Sequence, residues 1–168
     1  MVNLMAHPAP AALRPFAGHE TAPADLIFAS SQADLRGRPH EVWDLLSRPA
    51  GIARWMSDHH AWHGRVPDRV DAGDELEAQI RMFDMIQDVR LLVTECVPQR
   101  MLSMVGVGSV GIVLTYRADL APRDTGTHLT LEIGLGGPVL RDVDVTVLGA
   151  AVTRGLDHRV QHLMAVAA

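Results

Sequence analysis

Apolar and polar positions in this chain alternate over long stretches with the period of two that marks a strand with one covered and one wet face. Leu76, Ala78, Ile80 and Met82 share one side of a segment, while Glu75, Glu77, Gln79 and Arg81 share the other. Ile112, Leu114, Tyr116 and Ala118 oppose Val113, Thr115, Arg117 and Asp119 in the same way, and Leu129, Leu131 and Ile133 oppose His128, Thr130 and Glu132. The pattern predicts strands over 75–85, 87–97, 100–107, 110–120 and 127–135. A further strand precedes them over 25–34, and another starts in the run from His59 to His63. The separators around Gly73, Pro98, Gly108 and Gly126 are short and turn-like, which favours antiparallel neighbours over helical crossovers.

The period changes to 3.6 in two places. Pro39, Glu41, Val42, Trp43, Leu45 and Leu46 predict a helix ending at Ser47, and Ile52, Trp55 and Met56 predict a short second helix over 49–56. From Pro138 to Val166 the apolar residues Leu140, Val147, Leu148, Ala151, Val152, Leu156, Val160 and Leu163 recur at helical spacing. At 1.5 Å per residue that helix would be about 40 Å long, enough to cross the apolar face of the sheet. The expectation is an α+β domain of order β-α-α-β6-α, in which a curved antiparallel sheet of about seven strands wraps the C-terminal helix and leaves an apolar pocket between them. Residues 1–23 carry Pro8, Pro10, Pro15 and Pro23 without sustained periodicity and read as a flexible arm, leaving 24–168 as one domain.

Composition narrows the functions open to such a domain. All fifteen basic residues are arginine, which excludes Schiff-base chemistry, a lysine general base and a phosphate-loop lysine. A net charge of −5 argues against a broad nucleic-acid surface, so no nucleic-acid partner is expected. The single cysteine, Cys96, has no intramolecular disulfide partner. No window approaches the roughly 20 apolar residues of a membrane span. Cytoplasm is the simplest compartment, with no membrane insertion and a monomer or homodimer as the expected state.

Candidate chemistry concentrates on a few side chains. His59, His60 and His63 lie near Trp62, but His60 and His63 point to opposite faces of a strand and no cysteine or carboxylate completes a site. No metal is therefore expected, and His59 is placed at the pocket mouth. Tyr116 is in register with Ile112 and Leu114, so its ring faces the pocket, where the phenol must find either a backbone partner or a ligand. The strand around Arg90 has two readings. Either Val89, Leu91 and Val93 face inward, or Arg90, Leu92, Thr94 and Cys96 do, and the second would bring a guanidinium and Thr94 into the cavity. The expected lining is Met56, Ile80, Met82, Thr94, Met104, Leu114, Leu131, Val147 and Ala151. Ser30 and Ser109 lack a nucleophile-elbow context, and the acidic residues show no pairing that dictates acid–base work.

The element order and several local sequences together resemble the START/Bet v 1-like (SRPBCC) superfamily of helix-grip proteins, grouped with the polyketide cyclase/dehydrase proteins. The matching pieces are Pro39 to Ser47, Ile52 to Met56, Gly73 with Asp74, Val93 to Pro98 before Arg100, Gly126 with Thr127, and the closing helix, covering residues 25–165. Trp55 to His59, with Gly106, Gly108 and Gly111, is similar in particular to actinobacterial members, some of them named as toxins of toxin–antitoxin pairs. The resemblance implies a cavity for a hydrophobic small molecule, polyketide-, lipid- or isoprenoid-like, with no cofactor. It also implies two further readings. One is cofactor-independent cyclisation, dehydration or aromatisation assisted by Tyr116, His59 or Arg90, where an arginine stabilises an enolate. The other is a non-catalytic carrier or a toxin-like protein acting on a macromolecule.

Overall fold

The computed structural model describes residues 26–168. The segment read as a flexible arm lies outside them. Seven strands form one antiparallel sheet: β1 (Ile27–Leu35), β2 (His59–His63), β3 (Glu75–Met82), β4 (Met85–Val97), β5 (Met101–Gly108), β6 (Val113–Arg123) and β7 (Gly126–Gly136). Their spatial order is β1-β7-β6-β5-β4-β3-β2, a meander from β2 to β7 with β1 closing on the last strand. Three helices complete the fold: α1 (Pro39–Ser47), α2 (Pro49–Trp55) and α3 (Val145–Val166). The helix-grip architecture expected from the alternation and the closing helix is the one observed.

α1 and α2 start on prolines whose missing amide hydrogens cost nothing at a helix N-terminus. Glu41 accepts a hydrogen bond from the Arg38 amide at 2.6 Å, which closes the first turn of α1. Only Arg48 separates the two helices, so they pack at close quarters. A Cβ at Gly51 would lie 2.6 Å from the Asp44 carbonyl oxygen and 2.8 Å from Leu45 Cα, so no larger residue fits there without moving the helices apart. The Trp55 indole then reaches back and donates to the Leu45 carbonyl at 2.9 Å.

α3 presents Leu148, Val152, Leu156, Val160 and Leu163 to the sheet, a stripe three to four residues apart that packs over β1 and β7. Burying each of these aliphatic side chains contributes about 1.5–3 kcal/mol relative to leaving it in water. Two departures from the expected helix follow from one local device. Asp144 accepts hydrogen bonds from the Thr146 and Val147 amides at 2.8 and 3.1 Å, so α3 begins at Val145 after a separate 3-10 turn, Pro138–Leu140. Its 22 residues span about 33 Å instead of 40. Val147 lies off the buried stripe, 62% exposed, and does not line the interior.

Two strand boundaries also differ. Phe83 and Asp84 both adopt positive φ, 50° and 61°, which makes a two-residue turn between Met82 and Met85 and starts β4 two residues earlier than expected. β6 begins at Val113, not Val110, because Gly108 donates its amide to the Ile112 carbonyl at 2.8 Å and closes a loop through Gly111, where φ is +81°. Among the described residues no helix is long and apolar enough to cross a membrane.

Candidate functional site

Strand register sorts the inward side chains into rows. Val93, Met104, Tyr116, Ile133 and Ala29 are consecutive partners across β4, β5, β6, β7 and β1, all of them buried. His59, Ile80 and Gln87 form another row across β2, β3 and β4. The register shifts at His60, which turns both His59 and Trp62 toward the interior, their rings 4.5 Å apart. Ile80 is buried beside them. His60 and His63 are exposed.

Above these rows sit the end of α2 and the inner side of α3. The Trp55 ring lies 6.1 Å from the Tyr116 ring, tilted by 34°. Three residues on, the Asp58 carbonyl accepts the Arg81 amide at 2.7 Å, which pins the α2–β2 turn against β3. Arg159 crosses from α3 and forms an ion pair with the Asp58 carboxylate, the two side chains 16% and 31% exposed. The turn, the edge strand, the middle of the sheet and α3 thus meet at one place.

Four buried polar atoms on this inner surface have no hydrogen-bond partner among the described residues: His59 Nε2, Gln87 Oε1, Tyr116 Oη and Arg159 Nε. Buried polar atoms in folded proteins are satisfied in the large majority of cases, because each one left unpaired costs about 1–3 kcal/mol. Tyr116 lies on the first row, His59 and Gln87 on the second and Arg159 on α3, so the four are candidates for polar contact with a molecule from elsewhere. Burial pushes the Tyr116 phenol far above its ordinary range, against the smaller opposing pull of the nearby Arg159 charge. The phenol is therefore a neutral hydrogen-bond donor, unfit to be a base. Burial, and after it the His60 charge, holds His59 below the usual histidine value, so its imidazole is neutral near pH 7.

The other expected site residues fall into three groups. Ile80, Met104 and Leu131 are buried, Met56, Met82 and Leu114 are partly buried against the core, and Ala151 is half-buried on α3. Arg90 and Thr94 stand outside: β4 takes the register in which Val89, Leu91 and Val93 face inward, leaving Arg90 exposed on the outer face. The reason is a burial cost: an inward Arg90 would desolvate a guanidinium together with Glu77, its partner on β3, whereas the observed register buries Val89, Leu91 and Val93 instead. At Thr94 the strand bulges, so Val93 pairs with Met104 and Glu95 with Ser103, and Thr94 is left exposed without a partner. Arg159, Asp58 and Gln87 were not anticipated. Arg159 carried a legible signal, because it falls at seven residues from Val152 and four from Leu163, a charge set into a buried stripe.

A concavity lies on the outside of the helices. It encloses about 580 Å3 between Arg36 and Gly37, α1, α2 and residues 166–168, with Glu41, Asp44, Arg48 and Arg54 on its walls.

Comparison with known proteins is consistent across sequence and structure. The model of the family described as polyketide cyclase/dehydrase and lipid transport matches residues 29–168. Toxin Rv0910 of Mycobacterium tuberculosis is 22% identical over 137 residues, covering 82% of this chain and 95% of that protein. A START superfamily protein from Mycobacterium smegmatis superposes with a TM-score of 0.70 at 11% identity, covering 83% of this chain and 96% of that one. DynU16, a putative protein in the dynemicin biosynthetic locus, superposes with a TM-score of 0.57 at 17% identity, covering 82% of this chain and 45% of that one.

Proposed function

Since the chain belongs to the polyketide cyclase/dehydrase and lipid-transport family, we propose that it binds a hydrophobic small molecule between the inner face of its sheet and α3. The observation that carries the reading is the group of unpartnered atoms on His59, Gln87, Tyr116 and Arg159. Met56, Met82, Met104, Leu114, Ile80, Leu131 and Ala151 supply apolar surface around them, and the flexible thioethers suit an irregular ligand. Tyr116 donates a hydrogen bond to the bound molecule, and His59 accepts or donates one through Nε2. Native mass spectrometry of freshly purified protein, together with a thermal-shift screen of polyketide-, lipid- and isoprenoid-like compounds, tests this. Bound small-molecule mass or a ligand-dependent rise in melting temperature is expected, and the absence of both sinks the reading.

Cyclisation, dehydration or aromatisation of that molecule adds a second requirement, that His59 take a proton from it in a cofactor-independent step. His59→Ala then abolishes turnover of a poly-β-ketone probe while ligand affinity changes only a few-fold. Loss of binding in parallel with turnover assigns His59 to binding alone.

The similarity to Toxin Rv0910 supports a different reading, a toxin-like protein acting on a macromolecular partner. Induced expression in the source organism would then arrest growth, and Tyr116→Phe would not relieve the arrest. Normal growth on induction removes that reading.

A further inference from the structure

Resting on the ligand-binding reading, we infer that the interior site selects an apolar molecule carrying an uncharged carbonyl oxygen, held by the Tyr116 hydroxyl and the Arg159 Nε–H, and rejects the matching carboxylate. Two facts of inventory lead there. An arginine offers only donors, and the Nε–H of Arg159 is a buried donor with no acceptor among the described residues. Tyr116 is 4% exposed and its hydroxyl is likewise unpartnered. Trp55 and the turn after it hold these groups in one neighbourhood, with Trp55 against Tyr116 and Asp58 on Arg159. What enters must bring an acceptor.

Charge decides which acceptor. The guanidinium of Arg159 is already balanced by the Asp58 carboxylate, so the cluster is neutral as a unit before any ligand arrives. A buried carboxylate would leave one negative charge desolvated without a counter-ion, which disfavours its binding. His59 does not supply the missing positive charge, because its burial and the His60 charge oppose protonation. Arg90, the other arginine considered for this cavity, is exposed on the opposite face. A ketone, ester or amide oxygen takes both hydrogen bonds and adds no charge. The apolar remainder of such a molecule then lies along the row of Val93, Met104 and Ile133 that flanks Tyr116.

Three probes of equal length separate the possibilities: tridecan-2-one, tridecane and dodecanoate, titrated by calorimetry into the full chain at neutral pH. Tridecan-2-one is expected to bind at least about ten-fold tighter than tridecane, the worth of one to two net hydrogen bonds, and tighter still than dodecanoate. In Tyr116→Phe the ketone falls about ten-fold while tridecane is unchanged. Arg159→Met strands Asp58 and risks unfolding, so the pair is also removed together as Asp58→Leu with Arg159→Met, which keeps the interior uncharged. That double variant is expected to fold and to lose the preference for ketone over tridecane. Equal affinity of ketone and tridecane in the native chain overturns the carbonyl inference and leaves hydrophobic binding standing. Tighter binding of dodecanoate overturns it through the charge argument. Failure of all three probes to bind overturns this inference, and the ligand-binding reading falls with it only when native mass spectrometry and the thermal-shift screen are also negative.

Discussion

Two groups of polar side chains in this molecule differ in chemistry. In the cleft along α1 and α2, Arg48 lies 3.5 Å from Asp44 and reaches Asp68 at 2.7 Å, Asp44 takes Arg69 at 2.5 Å, and Glu41 caps the Arg38 amide. On the inner side of the sheet and α3, the Asp58–Arg159 ion pair is accompanied by buried polar atoms of His59, Gln87, Tyr116 and Arg159 that nothing among the described residues engages. The first is a solvated surface whose pairs hold helix ends and loops in place, each at modest energetic value. The second holds buried polar atoms without partners among the described residues, each at a cost of about 1–3 kcal/mol. Hydrogen-bond satisfaction is what distinguishes the two.

Substitutions at the two places should diverge in a graded way. The largest effect is expected at Trp55, wholly buried and packed on Tyr116, where alanine should cost about 3–5 kcal/mol in urea unfolding. A loss below about 1 kcal/mol would mean the roof of the interior site is not rigid. Next comes the matched pair of arginines. Arg159→Met leaves Asp58 partly buried without its partner and should destabilise by about 1–3 kcal/mol, discounted because Asp58 is 31% exposed. Arg48→Ala in the outer cleft should cost no more than about 1 kcal/mol. Equal losses would erase the contrast between the two regions.

Smaller still is the stability change in Tyr116→Phe without ligand. Its hydroxyl has no partner to lose, so unfolding free energy should stay within about 1 kcal/mol or rise. A fall beyond that would show that the phenol is bonded within the protein. The finest contrast is in pH. Folding lowers the His59 value, so its contribution is complete above about pH 6.5 and is lost as pH falls through the lowered folded-state value. The native chain should therefore lose stability relative to His59→Gln on acidification below about pH 6.5, measured by denaturant unfolding at each pH. A pH-independent difference would place the imidazole in water.

Much of this architecture was legible in the alternation of β3, β6 and β7 and in the helical stripe of α3, because one-sided burial writes its period into the chain. Boundaries were less so where a turn used an unusual residue. Phe83 at φ 50° gives no turn signal, unlike the glycine or asparagine that such a position favours. The inward position of Tyr116 followed from alternation, whereas Arg90 did not resolve, since one residue of slip exchanges the faces of β4. Arg159 and Asp58 lie 101 residues apart and meet only through tertiary packing, so no local pattern joins them. The one readable trace was an arginine on the buried stripe of α3, and it pointed to the interior without naming a partner.

The most direct test follows the side-chain Nε–H resonance of Arg159 by NMR while tridecan-2-one is added, with Arg159→Met giving the assignment. This resonance should shift and exchange more slowly with water as a hydrogen bond forms, while the Nε–H signals of Arg36, Arg48 and Arg54 in the outer cleft stay in place. Movement of the cleft arginines with Arg159 unmoved would contradict it.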